Sequence, residues 1–369
     1  TTAGGIERIW LDGKRQLLLD HSVPQIGAPA AHEAGFTGRG VRVAVLDTGV
    51  DTGHPDLAGR VAEARNFTED PAPGDLVGHG THVASIIAGS GAASGGRYRG
   101  VAPDATLLAG KVCETSFCTD SAILAGMQWA AVEQRADVVN MSLTGPDTPE
   151  TDPLEEAVAR LTAETGALFV VSAGNDGDFA PVGSPGTADA ALSVGAVDRD
   201  DELADFSSRG PRVGDDAVKP DLTAPGVEIV AARAADGVIG DPAGEGYVSL
   251  SGTSMAAPHV TGAVALLAQQ HSAWTAGQLK ATLMASARPH PGLSAYAQGA
   301  GRVDVARAIG QTVTSDPASV SFGRAYWPHD DDTPVSRQVT WRNDGPAPLT
   351  LDLTVEATGP DGAAAPAGV

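Results

Sequence analysis

The chain has 369 residues, enough for one large α/β domain with a small appendage or for two ordinary domains. Its 46 acidic residues outnumber 24 basic residues, and the net charge of −22 disfavours nucleic acids and anionic membrane surfaces as partners. No apolar run reaches the length of about 18 residues that a membrane-spanning helix needs, and the N-terminus shows no signal-peptide pattern.

Residues 20–312 alternate predicted strands with predicted helices, after a short N-terminal segment. Residues 1–19 form a separate leader, in which IERIWLDGKRQLLLD is compatible with a strand pair that turns at Asp12-Gly13, or with the remnant of a propeptide. Val-rich runs without strict polar alternation predict buried parallel strands. These runs are residues 41–47, 136–143, 166–175 and 191–198.

Three stretches between or after these runs predict helices: residues 120–134, 151–165 and 254–271. In the second, Asp152 is a suitable N-cap and Pro153 suits the first helical position. The alternation predicts a doubly wound, mostly parallel sheet with helices on both faces, spanning residues 20–312. Ligands of such sheets bind at the carboxyl ends of the strands.

From residue 313 the pattern changes to alternating apolar and polar residues between Pro, Asp and Gly turns. The segments ASVSFG, VSRQVTWRND and LTLDLTVEAT predict antiparallel strands. Residues 313–369 are too few for a complete sandwich of roughly 100 residues, so we expect a partial β-rich domain.

Four polar residues occupy positions where strands end or helices begin. Asp47 follows VAVL, His79 opens an apolar run in GHGTHVAS, Asn175 closes FVVSAGN, and Ser254 opens the helix in SGTSMAAPHV. Each alone has an ordinary structural explanation as a turn former, a packed histidine or a helix cap. Together they supply a nucleophile, a base, an orienting carboxylate and an oxyanion donor at one edge of the sheet.

The motifs VAVLDTGVDTGHPDL, GHGTHVAS, NMSLTG, SAGN and SGTSMAAPHV resemble those of the subtilases, the subtilisin-like serine proteases, in the order Asp, His, Ser. The resemblance covers residues 20–310, and the leader and tail further resemble large secreted subtilases of actinomycetes. It implies that Asp47 orients His79, that His79 acts as base and then acid, and that Ser254 is the nucleophile. Asn175 is the implied oxyanion donor. Pro258 is expected in the first turn of the Ser254 helix.

The resemblance also implies a primary specificity pocket beside these residues. Gly183 matches a pocket-floor glycine, which would admit a bulky apolar side chain, while Thr144 replaces a usual glycine and would narrow the entrance. Asp176 would lie near the rim, where it also suits a basic residue. The implied pocket residues are Ser142, Leu143, Thr144, Gly145, Ala173, Gly174, Asp176 and Gly183.

Two cysteines and one histidine raise other chemistries. Cys113 and Cys118 lack the further ligands of a zinc site, so two readings remain: a local disulfide, which we favour, and two free thiols. A disulfide indicates an oxidising compartment, hence secretion. His82 follows His79 in HGTH, but no Glu is placed as in H-E-x-x-H, so we expect a packed helix residue.

Calcium is the one ion that the resemblance suggests. Asp56 matches a ligand of a family site, but the loop GSGAASGGRYRG offers few oxygen side chains and His21 replaces a glutamine ligand. We therefore expect that site to be absent, with structural calcium elsewhere left open. No cofactor is required for the chemistry.

The sequence thus predicts a secreted, monomeric serine endopeptidase that acts on proteins and peptides, prefers bulky apolar residues before the cut, and is inhibited by its own propeptide. A lipase or esterase is disfavoured because the serine motif reads G-x-S-x-A and the acid and histidine precede it. The alternative function is that of a catalytically degenerate subtilase retained as a binding module.

Overall fold

The structure is a computed structural model and describes residues 19–71, 74–115, 117–178, 180–328, 330, 332–359 and 363–364. Its α-helices are α1 Leu19–Gln25, α2 Ala28–Glu33, α3 His79–Ala88, α4 Asp120–Gln128, α5 Pro153–Thr165, α6 Thr253–Gln270, α7 Ala276–Ser286, α8 Ala295–Gln298 and α9 Val305–Ala308. Its strands are β1 Arg42–Asp47, β2 Val61–Asn66, β3 Thr106–Lys111, β4 Val138–Met141, β5 Leu168–Ser172, β6 Leu192–Val197, β7 Leu222–Pro225, β8 Ile229–Ala232, β9 Asp241–Pro242, β10 Tyr247–Leu250, β11 Val313–Asp316 and β12 Thr340–Asn343.

A parallel sheet of seven strands lies at the centre of the described molecule, in the order β2-β3-β1-β4-β5-β6-β7. The four Val-rich runs form β1, β4, β5 and β6, so the predicted doubly wound parallel sheet is confirmed. The order reverses at β1, whose neighbours β3 and β4 both follow it along the chain. Such a reversal opens a crevice at the carboxyl ends of the strands.

Successive side chains of β1 enter two separate cores. Val43 and Val45 pack with residues of α3 and α6 on one face, while Ala44 and Leu46 pack with residues of α4 and α5 on the other. Both faces of the strand are therefore buried, which explains why its sequence is continuously apolar.

The predicted helix at residues 151–165 forms as α5 with a complete capping box. The Asp152 carboxylate accepts hydrogen bonds from the Leu154 and Glu155 backbone N–H groups, and the Glu155 side chain accepts from the Asp152 N–H. The helix ends at Gly166 with φ 80°, a conformation that glycine adopts without strain. The predicted helix at residues 120–134 is instead divided, because α4 is followed by a π-helical turn at Trp129–Glu133.

The β-rich tail forms only part of its predicted strands. Of the three predicted segments only VSRQVTWRND contains a strand, β12, which pairs antiparallel with β11, a strand that precedes ASVSFG. ASVSFG forms no strand, so that prediction was wrong. Within the described residues LTLDLTVEAT makes one bridge, from Thr358 to Ala364, and Leu349, Leu351, Leu353 and Val355 are exposed. An alternating segment gains stability only when neighbouring strands satisfy its backbone and a second layer covers its apolar face. The described residues of the tail supply neither for most of that segment.

The predictions for the N-terminal leader and for a membrane-spanning helix can be compared with the described residues. The strand pair predicted at Asp12-Gly13 lies outside the described residues, and α1, which begins at Leu19, crosses the predicted boundary after residue 19. Among the described residues, no helix has the length and apolar character needed to cross a membrane.

Candidate active site

The turn after β1 places Asp47 at the reversal point of the central sheet. Its side chain is buried, and Oδ1 accepts a hydrogen bond from the Thr48 backbone N–H at 2.7 Å. Gly80 packs against this turn, since a Cβ there would lie 2.1 Å from the Gly49 carbonyl oxygen. The glycine that follows His79 is therefore required for α3 to approach the Asp47 turn.

His79 begins α3 and directs its ring at Asp47. The distance from His79 Nδ1 to Asp47 Oδ1 is 2.8 Å. Because a carboxylate only accepts, Nδ1 carries the proton and the neutral ring presents Nε2 as an acceptor. Burial of the ring lowers the pKa of His79, but the charge and hydrogen bond of Asp47 and the charge of Asp75 raise it, and the net pKa lies above its ordinary value.

Ser254 lies in the first turn of α6, half-buried, against the residue that follows β4. Its hydroxyl donates to the Ser142 carbonyl oxygen at 3.1 Å, and the Ser142 hydroxyl donates to the Ser254 carbonyl oxygen at 2.8 Å. Pro258 lies in the second turn rather than the first, so that prediction was wrong. Having no N–H, Pro258 cannot bond the carbonyl four residues earlier, which leaves the Ser254 carbonyl free for Ser142.

Asn175 follows β5 and is fixed to the start of α6. Its Oδ1 accepts hydrogen bonds from the Thr253 backbone N–H at 2.8 Å and from the Thr253 hydroxyl at 3.0 Å. The side chain is exposed, and no described residue accepts a hydrogen bond from its Nδ2. The carbonyl end of this amide is thus anchored, and the donor end is available to another group.

The four candidate residues therefore fall into two groups that are held in place differently. Asp47 and His79 are joined directly, whereas Ser254 and Asn175 are both held through the first turn of α6 and its neighbours. Within the described chain no hydrogen bond joins Ser254 to His79, because the serine hydroxyl donates to Ser142.

Two further polar residues of this site, Asp75 and Thr48, were not predicted as site residues. Asp75 is 4% exposed and accepts hydrogen bonds from Thr48, Val77, Gly78 and Thr81. Thr48 in turn accepts from the Gly80 N–H at 3.0 Å. The available signal was an aspartate four residues before the histidine, ahead of a helix whose N-cap residue is a glycine.

The segments implied as a specificity pocket lie next to one another. Gly145 and Ser184 exchange two backbone hydrogen bonds, of 2.9 and 3.1 Å, and the Gly183 N–H donates to the Ala173 carbonyl at 3.0 Å. A Cβ at Gly174 would lie 3.7 Å from the Thr144 hydroxyl. Leu143 is half-buried against the core, and Thr144, Gly145 and Asp176 are exposed.

Gly183 has a backbone reason for its identity. A Cβ at this position would lie 2.4 Å from the Gly145 carbonyl oxygen and 3.3 Å from the Thr144 Cβ. The glycine therefore permits the pairing of two backbone segments, a role separate from that of the predicted pocket floor.

The cysteine and second-histidine predictions have clear outcomes. Cys113 and Cys118 form a disulfide, so the reading of two free thiols was wrong. His82 is fully buried in α3, where its Nε2 lies 3.0 Å from the Ile229 carbonyl oxygen. Burial first, and then the charge of His79, lower the pKa of His82 to about 3, so this ring is neutral at ordinary pH.

The Asp56 carboxylate is hydrogen-bonded by protein donors at both of its oxygens. Asp56 is fully buried; its Oδ1 accepts from the Ala93 N–H at 2.9 Å and its Oδ2 from the Tyr247 hydroxyl at 2.7 Å. Calcium needs six to eight oxygen ligands, whereas this carboxylate is already bound by two protein donors. In the described part of the chain, no cluster of three His, Cys, Asp or Glu side chains is arranged to hold a metal.

Comparison with known proteins agrees with this fold. The model of the subtilase family matches residues 38–307. Serine protease AprX of Bacillus subtilis (strain 168) is 37% identical over 305 residues, which cover 75% of this chain and 68% of that protein. The intracellular serine protease of Paenibacillus polymyxa is 40% identical over 262 residues, covering 68% of this chain and 73% of that protein.

Two further matches are subtilisins or subtilisin-like. Subtilisin E of Bacillus subtilis (strain 168) is 37% identical over 273 residues, covering 72% of this chain and 65% of that protein. The crystal structure of a cold adapted subtilisin-like serine proteinase, 34% identical, matches with a TM-score of 0.58 over 69% of this chain and 85% of that chain. The chain belongs to the subtilase family and is a subtilisin-like serine endopeptidase.

Proposed function

We propose that Asp47, His79 and Ser254 are the catalytic triad of this endopeptidase and that Asn175 supplies the oxyanion-hole side chain. The observation that carries the proposal is the 2.8 Å hydrogen bond from His79 Nδ1 to Asp47 at the reversal point of the sheet. It leaves Nε2 as a basic nitrogen in the crevice where substrates of such sheets bind.

The reaction then follows from the side chains in place. Rotation of the Ser254 hydroxyl away from Ser142 lets it donate to His79 Nε2, which takes the proton as the serine oxygen attacks the substrate carbonyl carbon. His79 returns the proton to the leaving amine as the peptide C–N bond breaks. Water, activated by the same ring, hydrolyses the acyl-enzyme and regenerates Ser254.

The Ser254 backbone N–H and the Asn175 side-chain amide would both donate to the substrate oxygen that becomes negative during the attack. Ser254 lies in the first turn of α6, where a backbone N–H has no acceptor within the helix. Asn175 is anchored through Oδ1, so its Nδ2 can donate. Donors fixed before the reaction lower the barrier because they need no reorganisation.

Replacement of the nucleophile tests the triad. We expect Ser254→Ala to lower kcat for a chromogenic peptide by about 10⁶-fold while the melting temperature stays close to that of the parent. A serine-directed phosphonate should label the parent on Ser254 and leave the variant unlabelled. Undiminished hydrolysis by Ser254→Ala would show that another residue is the nucleophile.

We also propose a broad specificity with preference for bulky apolar residues before the cut. Thr144 is the position to vary, because a side chain at Gly183 would collide with the Gly145 backbone. Thr144→Gly should increase the share of large aromatic residues accepted in a peptide-library profile. A parent profile dominated by small or acidic residues would contradict this preference.

The cellular setting is a proposal of the same kind. The Cys113–Cys118 disulfide supports an oxidising compartment, and hence a secreted enzyme that acts on proteins and peptides. One relative is named an intracellular protease, so the family alone leaves the location open. We expect the enzyme to be recovered from culture medium as a monomer, after removal of an inhibitory propeptide. Recovery only from the cytoplasm would contradict the proposed secretion.

We further propose that folding does not depend on calcium at Asp56, because Tyr247 and Ala93 already supply donors to both carboxylate oxygens. A chelator should leave the melting temperature of the enzyme unchanged. Tyr247→Phe should lower it, since one buried carboxylate oxygen loses its partner, at a cost of about 1–3 kcal/mol. A melting temperature that falls with chelator would show a structural ion and would contradict the expectation.

A further inference from the structure

Asp75 connects the two parts of the chain that carry Asp47 and His79. Its Oδ1 accepts from the Thr48 hydroxyl at 2.8 Å and from the Gly78 N–H at 2.8 Å. Thr48 is the residue after Asp47, and Gly78 is the residue before His79. One buried carboxylate oxygen is therefore bonded to a neighbour of each.

The same carboxylate also fixes the other side of His79. Thr48, held by Asp75, accepts a hydrogen bond from the Gly80 N–H at 3.0 Å, so the backbone is bonded both before and after the histidine. The second oxygen, Oδ2, accepts from the N–H and the hydroxyl of Thr81, at 2.9 and 2.6 Å. The first turn of α3 cannot rotate relative to the Asp47 turn without breaking several of these bonds.

The charged groups around His79 give Asp75 a second effect. Asp47 and Asp75 are the carboxylates that act on the ring, while His82 on the same helix and His259 on α6 are buried and hold lowered pKa values. Removal of one negative charge from this set makes the imidazolium less stable.

We propose that Asp75 is a positioning residue of the proposed triad: it holds His79 in line with Asp47. Its negative charge acts on the same ring. This inference rests on the proposed function, since it assumes that His79 is the base. A simpler role is that Asp75 only caps α3, whose N-cap Gly78 has no side chain to do so. The two roles differ in what a substitution changes.

The main variant is Asp75→Asn, and its matched control is Asp152→Asn. Asp152 also accepts hydrogen bonds from backbone N–H groups at a helix start, but its helix α5 packs on the opposite face of the sheet. Both variants should lower the melting temperature. Only Asp75→Asn should lower kcat, by about ten- to a hundredfold with little change in KM, because the base is misplaced.

The pH profile separates positioning from capping. In Asp75→Asn the acid limb of kcat/KM should move to lower pH, because the lost charge no longer favours protonated His79. In Asp152→Asn kcat and the limb should match those of the parent. An Asp75→Asn enzyme with parental kcat and an unmoved limb would reduce Asp75 to a helix cap and overturn the proposal.

A second variant keeps the proposal falsifiable if Asp75→Asn does not fold. Thr48→Val retains the charge of Asp75 but breaks the bonds from Thr48 to Asp75 and from Gly80 to Thr48. It should lower kcat by about tenfold and leave the acid limb in place. Parental kcat in a folded Thr48→Val enzyme would contradict the positioning role.

An NMR titration of His79 distinguishes a failure of this inference from a failure of the proposed function. It is recorded in Ser254→Ala and in Ser254→Ala with Asp75→Asn, where no turnover is needed. A lower pKa of His79 in the second protein supports the inference even if Ser254 proves not to be the nucleophile. Equal pKa values in the two proteins would overturn it.

Discussion

The two halves of the candidate site are built differently. In the Asp47–His79 half, the functional side chains bond each other directly, and the surrounding backbone is bonded to a third, buried carboxylate, Asp75. In the Ser254–Asn175 half, the serine hydroxyl donates to the Ser142 carbonyl and the amide is held only through its oxygen. The proposed base is thus fixed by its partner, and the proposed nucleophile must leave the Ser142 carbonyl before it reacts, whereas the Asn175 Nδ2 has no acceptor among the described residues.

Within this comparison, we expect the largest fall in kcat from removal of the Asn175 side-chain amide, the proposed oxyanion donor. Asn175→Ala should lower kcat by about 10²–10³-fold with little change in KM, because its Nδ2 acts only on the charge that develops in the transition state. Steady-state kinetics on a peptide substrate measure both constants. Asn343→Ala, in strand β12 of the tail, is the control and should match the parent. A change in KM alone would assign Asn175 to substrate binding instead.

The pH dependence of activity tests the raised pKa of His79 in the Asp47–His79 half of the site. His79 must be neutral to accept a proton, and its pKa is raised, so the acid limb of kcat/KM should lie above the ordinary histidine value of 6.5, with a tenfold loss for each pH unit below it. A limb below pH 6.5 would contradict the expected balance between burial and the two carboxylates.

The same raised pKa has a consequence for stability. A group whose pKa is higher in the folded state binds its proton more tightly there. The contribution of His79 to the free energy of unfolding is therefore fully present below its unfolded pKa and is lost as the pH rises through the folded pKa. Folded Ser254→Ala protein, melted across this range, measures that loss.

We expect the smallest fall in kcat from loss of the hydrogen bond that the Ser142 hydroxyl donates to the Ser254 carbonyl oxygen. Ser142→Ala removes the hydroxyl that donates to the Ser254 carbonyl, and a buried acceptor without a partner costs about 1–3 kcal/mol. We expect a lower melting temperature and a fall in kcat of no more than about tenfold. A fall as large as that of Asn175→Ala would show that the second half is as strictly positioned as the first.

Local sequence was sufficient wherever neighbouring residues make the decisive contacts. The N-terminus of α5 was predicted from Asp152 and Pro153, and its capping box is closed within the same turn. The strands of the central sheet were predicted from their Val-rich runs, because burial on both faces leaves an apolar pattern. The candidate residues themselves were found through long family motifs.

Contacts between distant segments could not be predicted in this way. The tail segment LTLDLTVEAT has the alternation of a strand, yet among the described residues only Thr358 pairs, in a single bridge with Ala364. The division of the predicted helix at Trp129–Glu133 has no clear signal in its sequence. Pro258 was placed one turn too early, and its purpose became clear only when Ser142 was found beside the Ser254 carbonyl.

The amino-acid sequence by itself determined the parallel α/β sheet and the candidate residues Asp47, His79, Asn175 and Ser254, and it favoured a Cys113–Cys118 disulfide over two free thiols. Only the tertiary structure decided that Asp75 accepts hydrogen bonds from Thr48 and Gly78, the neighbours of Asp47 and His79. It also decided that Gly183 packs against the Gly145 backbone and that the Tyr247 hydroxyl donates to Asp56. The physical reason is range. Periodicity and capping act over a few neighbouring residues, whereas a buried polar atom takes whichever partner the folded chain brings to it.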